Sequence, residues 1–240
     1  LIGRPASYEV REVAGIEGWE ADTETVQTVQ VTAGSTVTVT MTNKAQAGLR
    51  ILKYSRTDRQ YLSDVSFEVY RDGVSLGIFK TDAQGEIFLP NCASGTYLCI
   101  ERNVSGHVLD TTPQQVELKA GDGIKTLVFY NDRLPGIHLI KVDSADPSKT
   151  IPNARFRIEA VDGSYGPKEF VTSDAGVIDL SDLPVGAYKV TELECAGYVI
   201  DNAERIIQLD GGEQAQFIFT NSVLPSLCLK KLSADGTPLA

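Results

Sequence analysis

The sequence predicts an all-β protein that is made of tandem domains. Apolar and polar residues alternate in segments such as 36–42, 67–70 and 188–192, which is typical of strands with one buried face. Glycine-containing pairs such as Asp72-Gly73 and Gly211-Gly212 lie between such segments as turns, and no long segment has the apolar periodicity of a helix. Three motifs recur with one period, which indicates that a domain is repeated along the chain.

The repeat period is close to 90 residues. A lysine that ends an apolar strand recurs at steps of 88 and 90 residues, the glutamate of a Tyr-x-x-x-Glu motif at steps of 89 and 91, and an asparagine that ends an alternating strand at steps of 88 and 90. These positions are Lys53, Lys141 and Lys231; Glu12, Glu101 and Glu192; and Asn43, Asn131 and Asn221. Since solenoid repeats are usually about 20–50 residues long, this period indicates tandem globular domains.

The repeat divides the 240 residues into four parts. The expected parts are the C-terminal half of a domain at residues 1–47, complete domains at 48–134 and 135–224, and the first strand of a further domain at 225–240. Only about ten residues separate the asparagine of one repeat from the lysine of the next. We therefore expect neighbouring domains to form a stiff array without flexible linkers.

Composition and charge exclude several classes of function. With 32 acidic and 22 basic residues the net charge is −10, which argues against a nucleic-acid-binding protein because such proteins have a basic face. No apolar run approaches the ~20 residues of a membrane helix, no segment has the pattern of a signal peptide, and we expect any anchor to lie outside this sequence. Two histidines and four cysteines without Cys-x-x-Cys spacing predict no metal site, and the sequence implies no cofactor.

Strand parity places the lysine of each repeat on the apolar face of its strand. Alternate side chains of a strand point to the same face, so Leu49, Ile51 and Lys53 share one face. The glutamates and asparagines of the repeats also share parity with the apolar residues of their own strands. Because an unpaired buried charge is very unfavourable, we expect the lysine, glutamate and asparagine of a repeat to meet in its core.

These three residue types contain the groups needed to form an amide bond. Burial lowers the pKa of a lysine and raises the pKa of a glutamate, and a neutral amine is a nucleophile while a neutral carboxylic acid can donate a proton. The lysine amine would attack the asparagine carboxamide while the glutamate polarises the carbonyl oxygen and transfers protons, and ammonia would leave. The predicted product is an intramolecular Lys–Asn isopeptide bond, formed once in each domain and not by catalytic turnover.

The order of motifs resembles the Cna-B-type repeats of Gram-positive collagen adhesins and the related SpaA-type pilin domains. The matching segments include the lysine strand that opens each unit and residues 153–156, 183–192 and 219–221. The resemblance covers nearly the whole chain. It implies tandem β-sandwich domains of reversed immunoglobulin-like, or transthyretin- and prealbumin-like, topology on an extracellular, cell wall-associated protein of a Gram-positive bacterium.

The resemblance also implies a role for each of the recurring residues. The implied bond-forming pairs are Lys53–Asn131 and Lys141–Asn221, assisted by Glu101 and Glu192; Glu12 and Asn43 lack their lysine, and Lys231 lacks its glutamate and asparagine. The loop at residues 91–96 is expected to be longer than the corresponding Leu-Pro-x-Gly turn of the second repeat.

The four cysteines are expected in different settings. Cys99 has the inward parity of the core, Cys228 lies on the outward face of its strand, and Cys92 and Cys195 fall in loops. The sequence dictates no disulfide pairing among them.

The predicted function is structural: the stalk or shaft of a bacterial surface adhesin or pilus. Expected partners are neighbouring repeats, other pilin subunits, host matrix or cell-surface ligands and the cell wall, with no nucleic acid and no membrane segment. The alternative is a ligand-binding β-sandwich module of a secreted protein, for carbohydrate or matrix protein, which would need an exposed aromatic patch. Trp19 and Tyr165 are the suggestive aromatic residues in turns, and they lie in different repeats.

Overall fold

The regular structure of the described chain consists of β-strands. A computed structural model describes residues 6–238 except residues 14, 23, 201–203 and 235. Its strands, in chain order, are β1 Ala6–Arg11, β2 Trp19–Ala21, β3 Val26–Val31, β4 Asn43–Ala45, β5 Ala47–Ser55, β6 Gln60–Tyr61, β7 Ser66–Arg71, β8 Val74–Lys80, β9 Glu86–Cys92, β10 Gly95–Asn103, β11 Gln114–Leu118, β12 Ile124–Asn131, β13 Gly136–Asp143, β14 Arg155–Ala160, β15 Lys168–Val171, β16 Val177–Leu180, β17 Gly186–Glu194, β18 Tyr198–Ile200, β19 Glu204–Leu209 and β20 Gln214–Val223. The all-β prediction is confirmed. Within the described ranges, no helix could cross a membrane.

Each of two compact units, which meet in sequence at Asp132 and Arg133, contains one complete pair of sheets. In the first unit the sheets have the orders β11-β10-β7-β8 and β12-β5-β6, and β9 also pairs with β5. In the second unit the orders are β15-β14-β17-β19 and β16-β13-β20-β18. We call the two sheet pairs, β5–β12 and β13–β20, the first and second complete domains.

The core of each complete domain lies between its two sheets. Phe67 of β7 contacts Phe129 of β12, with ring centroids 4.7 Å apart, and so joins opposite sheets. Phe156 and Phe219 make the same contact in the second domain at 5.0 Å. Each cluster of buried apolar side chains therefore draws on both sheets, as in a β-sandwich.

The first and last strands of each complete domain are neighbours and run parallel. In the pairing of β5 with β12, Phe129 lies opposite Lys53 and Asn131 lies opposite Ser55. In the pairing of β13 with β20, Phe219 lies opposite Lys141 in the same register. Because alternate residues share a face, this register directs the lysine and the asparagine of each domain into the same core.

The segment before Ala47 differs from the strand pattern that its sequence predicts. Residues 36–42 alternate like a strand but form none, so that prediction is wrong. Tyr8 and Val10, expected on a buried face, are 55% and 36% exposed, whereas the equivalent Tyr97 is 2% exposed. The physical reason is the missing neighbour: β12 is held by its parallel pairing with β5, and no strand pairs with residues 36–42 in the described part of the chain.

The opposite end of the chain shows a similar difference. Residues 224–231 contain no strand, and Leu227 and Leu229 are 94% and 89% exposed. The lysine that follows them, Lys231, is also exposed.

The loop that precedes Tyr97 has the same length as its counterpart, contrary to expectation. Asn91 has a left-handed backbone with φ of 51°, and Asp182 has the same conformation with φ of 55°. Each is followed four residues later by a glycine with positive φ, Gly95 in one domain and Gly186 in the other. The two loops therefore differ in side chains and not in length.

The cysteines are placed partly as expected. Cys99 is fully buried in the first core, which agrees with its parity, and Cys228 is exposed. Cys92 does not lie in a loop but ends β9, where it is buried. Cys195 follows β17 and is buried against the second core, and all four are free thiols.

Candidate cross-linking sites

Three polar side chains meet in the core of the first complete domain. Lys53 comes from β5, Asn131 ends β12 in the same sheet, and Glu101 comes from β10 in the opposite sheet. Lys53 and Glu101 are fully buried, and Asn131 is 2% exposed. Their strands bring them together because each follows the inward parity of its apolar neighbours.

Each of the three side chains contacts the other two. The Lys53 Nζ donates to Glu101 Oε2 at 2.7 Å and to Asn131 Oδ1 at 2.5 Å. The Asn131 Nδ2 donates to Glu101 Oε1 at 2.5 Å. One carboxyl group therefore contacts both the amine of Lys53 and the amide nitrogen of Asn131.

Burial and charge act in opposite directions on this pair. Burial lowers the pKa of Lys53, and the hydrogen bond and charge of Glu101 partly oppose that change. Burial raises the pKa of Glu101, and the hydrogen bond and charge of Lys53 oppose it. The core thus favours the neutral amine and the neutral acid relative to water, which are the forms that amide formation needs.

The second complete domain repeats the arrangement, with a longer distance between the lysine amine and the glutamate carboxylate. Lys141 of β13, Glu192 of β17 and Asn221 of β20 are at most 3% exposed. Asn221 Nδ2 donates to Glu192 Oε1 at 2.6 Å, and Lys141 Nζ lies 3.5 Å from the same oxygen. The amine–carboxylate distance in the first site is 2.7 Å.

A thiol borders the second site, and the sequence interpretation missed it. Burial raises the pKa of the Cys195 thiol, and the charge of Glu192 acts in the same direction, while Asn221 and Lys141 oppose the change. Cys195 lies three residues after its glutamate, as Val104 lies three residues after Glu101. Strand parity gives no signal for this position, because an offset of three residues predicts the face opposite to that of the glutamate.

The remaining predicted site residues form no complete set. Asn43 Nδ2 donates to Glu12 Oε1 at 3.2 Å, so this pair has the same connection as the buried pairs. The Oδ1 of Asn43 is buried and has no hydrogen-bond partner among the described residues. In the complete first site the equivalent oxygen accepts from Lys53. Lys231 is exposed and lies in a segment without a strand.

Over the described residues, no cluster of three or more His, Cys, Asp or Glu side chains could hold a metal ion.

Two stretches of the chain, residues 47–133 and 135–222, match the SpaA prealbumin-like fold domain. The chain belongs to the SpaA domain family. The two SpaA domains contain the two complete Lys–Glu–Asn sets, one in each. The resemblance to SpaA-type domains and the prealbumin-like fold expected from the sequence are confirmed.

Several solved structures are similar to this chain of SpaA domains. The Bacillus anthracis TIE protein is 26% identical over 83% of this chain and 38% of that one, with a TM-score of 0.40. A streptococcal ancillary pilin is 19% identical over 93% and 76%, with a TM-score of 0.41. The shaft pilin SpaA from Lactobacillus rhamnosus GG is 13% identical over 77% and 100%, with a TM-score of 0.43. The chain spans 38% of the TIE protein. No curated protein sequence matches it.

Proposed function

We propose that this chain is a shaft or stalk segment of a pilus or surface adhesin of a Gram-positive bacterium, with SpaA domains locked by Lys–Asn isopeptide bonds. The observation that carries the proposal is the buried triangle of Lys53, Glu101 and Asn131, in which every side chain contacts the other two. The chain acts as a structural protein that modifies itself once per domain, needs no cofactor and turns over no substrate.

The geometry of the first site suits a proton shuttle. The neutral Lys53 amine attacks the carboxamide carbon of Asn131, so a C–N bond forms and the carbonyl oxygen becomes an oxyanion. Glu101 takes a proton from the attacking nitrogen through Oε2, 2.7 Å away, and delivers one to Nδ2 through Oε1, 2.5 Å away. The carbonyl then re-forms, the Asn131 C–Nδ2 bond breaks and ammonia leaves, which balances the reaction.

The position of the bond suits a protein under tension. Lys53 and Asn131 are 78 positions apart in the chain but lie on adjacent parallel strands at the start and end of the domain. A covalent link there carries force from the first strand to the last without unfolding the strands between them. In a loop-entropy model, a link over this length also removes about 4–5 kcal/mol of unfolded-state freedom.

The proposed setting is extracellular and associated with the cell wall. Proposed partners are neighbouring SpaA domains, other pilin subunits, the cell wall and host matrix or cell-surface ligands. Membership of the SpaA family supports this setting.

Intact mass spectrometry of the purified chain tests the proposal. We expect a mass lower than that of the sequence by two molecules of ammonia, one for each complete domain. Glu101→Ala and Glu192→Ala should each restore one ammonia, and fragmentation should locate the links at Lys53–Asn131 and Lys141–Asn221. The matched control is Glu24→Ala, an exposed carboxylate outside both sites, which should keep both losses. An unmodified wild-type mass would contradict the isopeptide bonds.

A row of tyrosines favours one second candidate function, ligand binding by the first domain. Tyr130, Tyr54 and Tyr61 face one another across three adjacent strands, with ring centroids 6.0 Å and 5.4 Å apart. Tyr61 and Tyr130 are 54% and 43% exposed. Val142 and Thr220 occupy the positions of Tyr54 and Tyr130 in the second domain, so the row is particular to the first.

Tyr61, at one end of the tyrosine row, borders a cavity that could receive a sugar ring. The cavity has a volume of about 560 Å³ and is lined by Tyr61 and by polar groups that include Gln60 and Gln84. Aromatic faces combined with a few polar groups are typical of ligand sites. By contrast, Tyr165 packs against the second core and Trp19 begins β2 instead of lying in a turn.

Calorimetry with neutral oligosaccharides tests this second candidate. Tyr61→Ala and Tyr130→Ala should weaken binding, and Tyr8→Ala, another exposed tyrosine, should leave it unchanged. No detectable binding, or equal binding by Tyr61→Ala, would contradict a carbohydrate site on this face.

A further inference from the structure

Strand β2 and the glycine before it, Gly18, lie in the segment before Ala47 and contact the loop at residues 91–96 of the first SpaA domain. Glu20 Oε1 accepts a hydrogen bond from the Ser94 backbone N–H at 2.6 Å, and Oε2 accepts one from the Ser94 hydroxyl at 2.5 Å. Two donors of one residue thus hold both oxygens of one carboxylate. Hydrogen bonds to an ionised acceptor are about twice as strong as neutral ones.

Backbone hydrogen bonds accompany this contact on the same side of the domain. The Gln46 N–H donates to the Gly18 carbonyl at 2.7 Å, and the Gly121 N–H donates to the Ala45 carbonyl at 2.7 Å. The first bond lies within the segment before Ala47, next to the start of the domain. The second bond joins that segment to the turn at residues 119–122. The junction is therefore hydrogen-bonded through main chain as well as through Glu20.

Hydrogen bonds within the first SpaA domain hold Ser94 and its loop in place. Its hydroxyl oxygen accepts from the Ala120 N–H at 3.1 Å, and the neighbouring Ala93 carbonyl accepts from the buried Tyr97 hydroxyl at 3.0 Å. The loop is thus tied both to the turn at 119–122 and to the core. A preorganised donor pair loses little freedom when a carboxylate binds it.

The close approach of the two segments requires a glycine. Gly18 has φ of +79°, and a Cβ at this position would lie 3.1 Å from the Asn91 Oδ1. Both the backbone conformation and the short distance disfavour a side chain there. Gly18 therefore lets β2, which carries Glu20, approach this loop closely.

We propose that residues 91–96 and 119–122 of the first SpaA domain form a docking surface for the repeat that precedes it, and that Glu20 fixes that repeat in one orientation. The Ser94 hydrogen bonds also lower the pKa of Glu20, so the acceptor keeps its charge at neutral pH. The surface makes the joint between that repeat and the first SpaA domain stiff, whether or not the isopeptide bonds form.

The docking surface selects its partner through one side chain. The loops of the two SpaA domains have equal length, and both are tied to a buried tyrosine, Tyr97 or Tyr188. At the position of Ser94 the second domain has Val185, which is 42% exposed. A valine offers no hydroxyl to a carboxylate, so the loop of the second domain is suited to a partner of different chemistry.

Amide hydrogen exchange on the whole chain tests the joint. In the wild type we expect the amides of Ser94, Gln46 and Gly121 to be protected. Glu20→Ala and Ser94→Val should each lower that protection by about tenfold, the change expected for one charge-assisted hydrogen bond. Ser94→Thr keeps the hydroxyl and should retain the protection.

Two controls separate loss of the joint from loss of folding. Glu24→Ala changes an exposed carboxylate of the same segment and should leave the three amides unchanged. Ser94→Val changes only the first domain, where it also removes the acceptor of the Ala120 N–H, so the β1–β3 amides should stay as in the wild type. Unprotected amides in the wild type, or unchanged protection in both Glu20→Ala and Ser94→Val, would overturn the docking surface.

Discussion

The Glu–Asn pair of residues 12 and 43 and the pair of residues 101 and 131 have the same connection but very different surroundings. Asn131 is 2% exposed and its carbonyl oxygen accepts from Lys53, whereas the corresponding oxygen of Asn43 has no hydrogen-bond partner among the described residues. The tyrosine four residues before each glutamate shows the same contrast, since Tyr97 is 2% exposed and Tyr8 is 55% exposed.

The difference shows what the lysine strand contributes. In the first complete domain β5 supplies the amine and is also the parallel partner that holds β12 as a strand. Residues 36–42 have the alternation of such a strand but, without that partner, form none. The lysine strand therefore creates the burial that shifts the pKa values of the site, in addition to carrying the proposed nucleophile.

The largest expected effect is a difference in stability between variants of the two Glu–Asn pairs. Lys53→Ala removes the amine of the proposed cross-link and leaves Glu101 buried without its partner, so we expect residues 47–133 to lose about 3–5 kcal/mol from the broken pair alone. Asn43→Ala removes a carboxamide whose Oδ1 already lacks a partner, so a change below about 1 kcal/mol is expected. Hydrogen exchange of the β7 amides measures the first effect and of the β1 amides the second. Equal losses in both variants would break the comparison.

A pH-dependent effect is expected when Lys53 is replaced by an apolar residue. In Lys53→Met, burial raises the pKa of Glu101 without the opposing interaction of the lysine. The folded pKa then lies above the unfolded value of about 4.3, so stability is full below that pH and falls as pH rises through the folded pKa. The loss is about 1.4 kcal/mol for each unit of difference in pKa.

Chemical unfolding of Lys53→Met at acidic and neutral pH measures this dependence. The double variant Lys53→Met/Glu101→Leu removes the buried acid and should show a much smaller dependence on pH. A Lys53→Met protein that gains stability between acidic and neutral pH would show that Glu101 is not buried as an acid in the folded state.

Sequence patterns predicted the architecture well because they reflect local geometry. Period-2 alternation and turn residues were sufficient for the all-β fold, and parity alone placed Lys53 and Glu101 on inward faces. Parity does not depend on the rest of the chain, and for that reason it worked equally for both complete domains.

The features that the sequence could not predict depend on partners distant in sequence. The prediction of a strand at residues 36–42 is wrong because a strand needs a neighbouring strand, and alternation within one segment does not show whether that neighbour is present. The sequence predicts a loop at Cys92 and a longer segment at residues 91–96 than the Leu-Pro-x-Gly turn, yet Cys92 ends β9 and Asn91 adopts the same left-handed conformation as Asp182. The docking contact between Glu20 and Ser94 joins residues 74 positions apart, and no periodicity signals it.

The smallest expected effect comes from removing the hydroxyl group of each of three equivalent tyrosines. The hydroxyl of Tyr97 donates to the Ala93 carbonyl, and that of Tyr188 donates to the Pro184 carbonyl, both at 3.0 Å. Tyr97→Phe and Tyr188→Phe should each cost their own domain about 1 kcal/mol, the usual net value of one hydrogen bond. Tyr8→Phe, at an exposed position, should change nothing measurable. Domain-resolved hydrogen exchange distinguishes the three variants. If Tyr8→Phe destabilised the segment before Ala47 as much as Tyr97→Phe destabilises the first domain, burial by the lysine strand would not explain the contrast between the two Glu–Asn pairs.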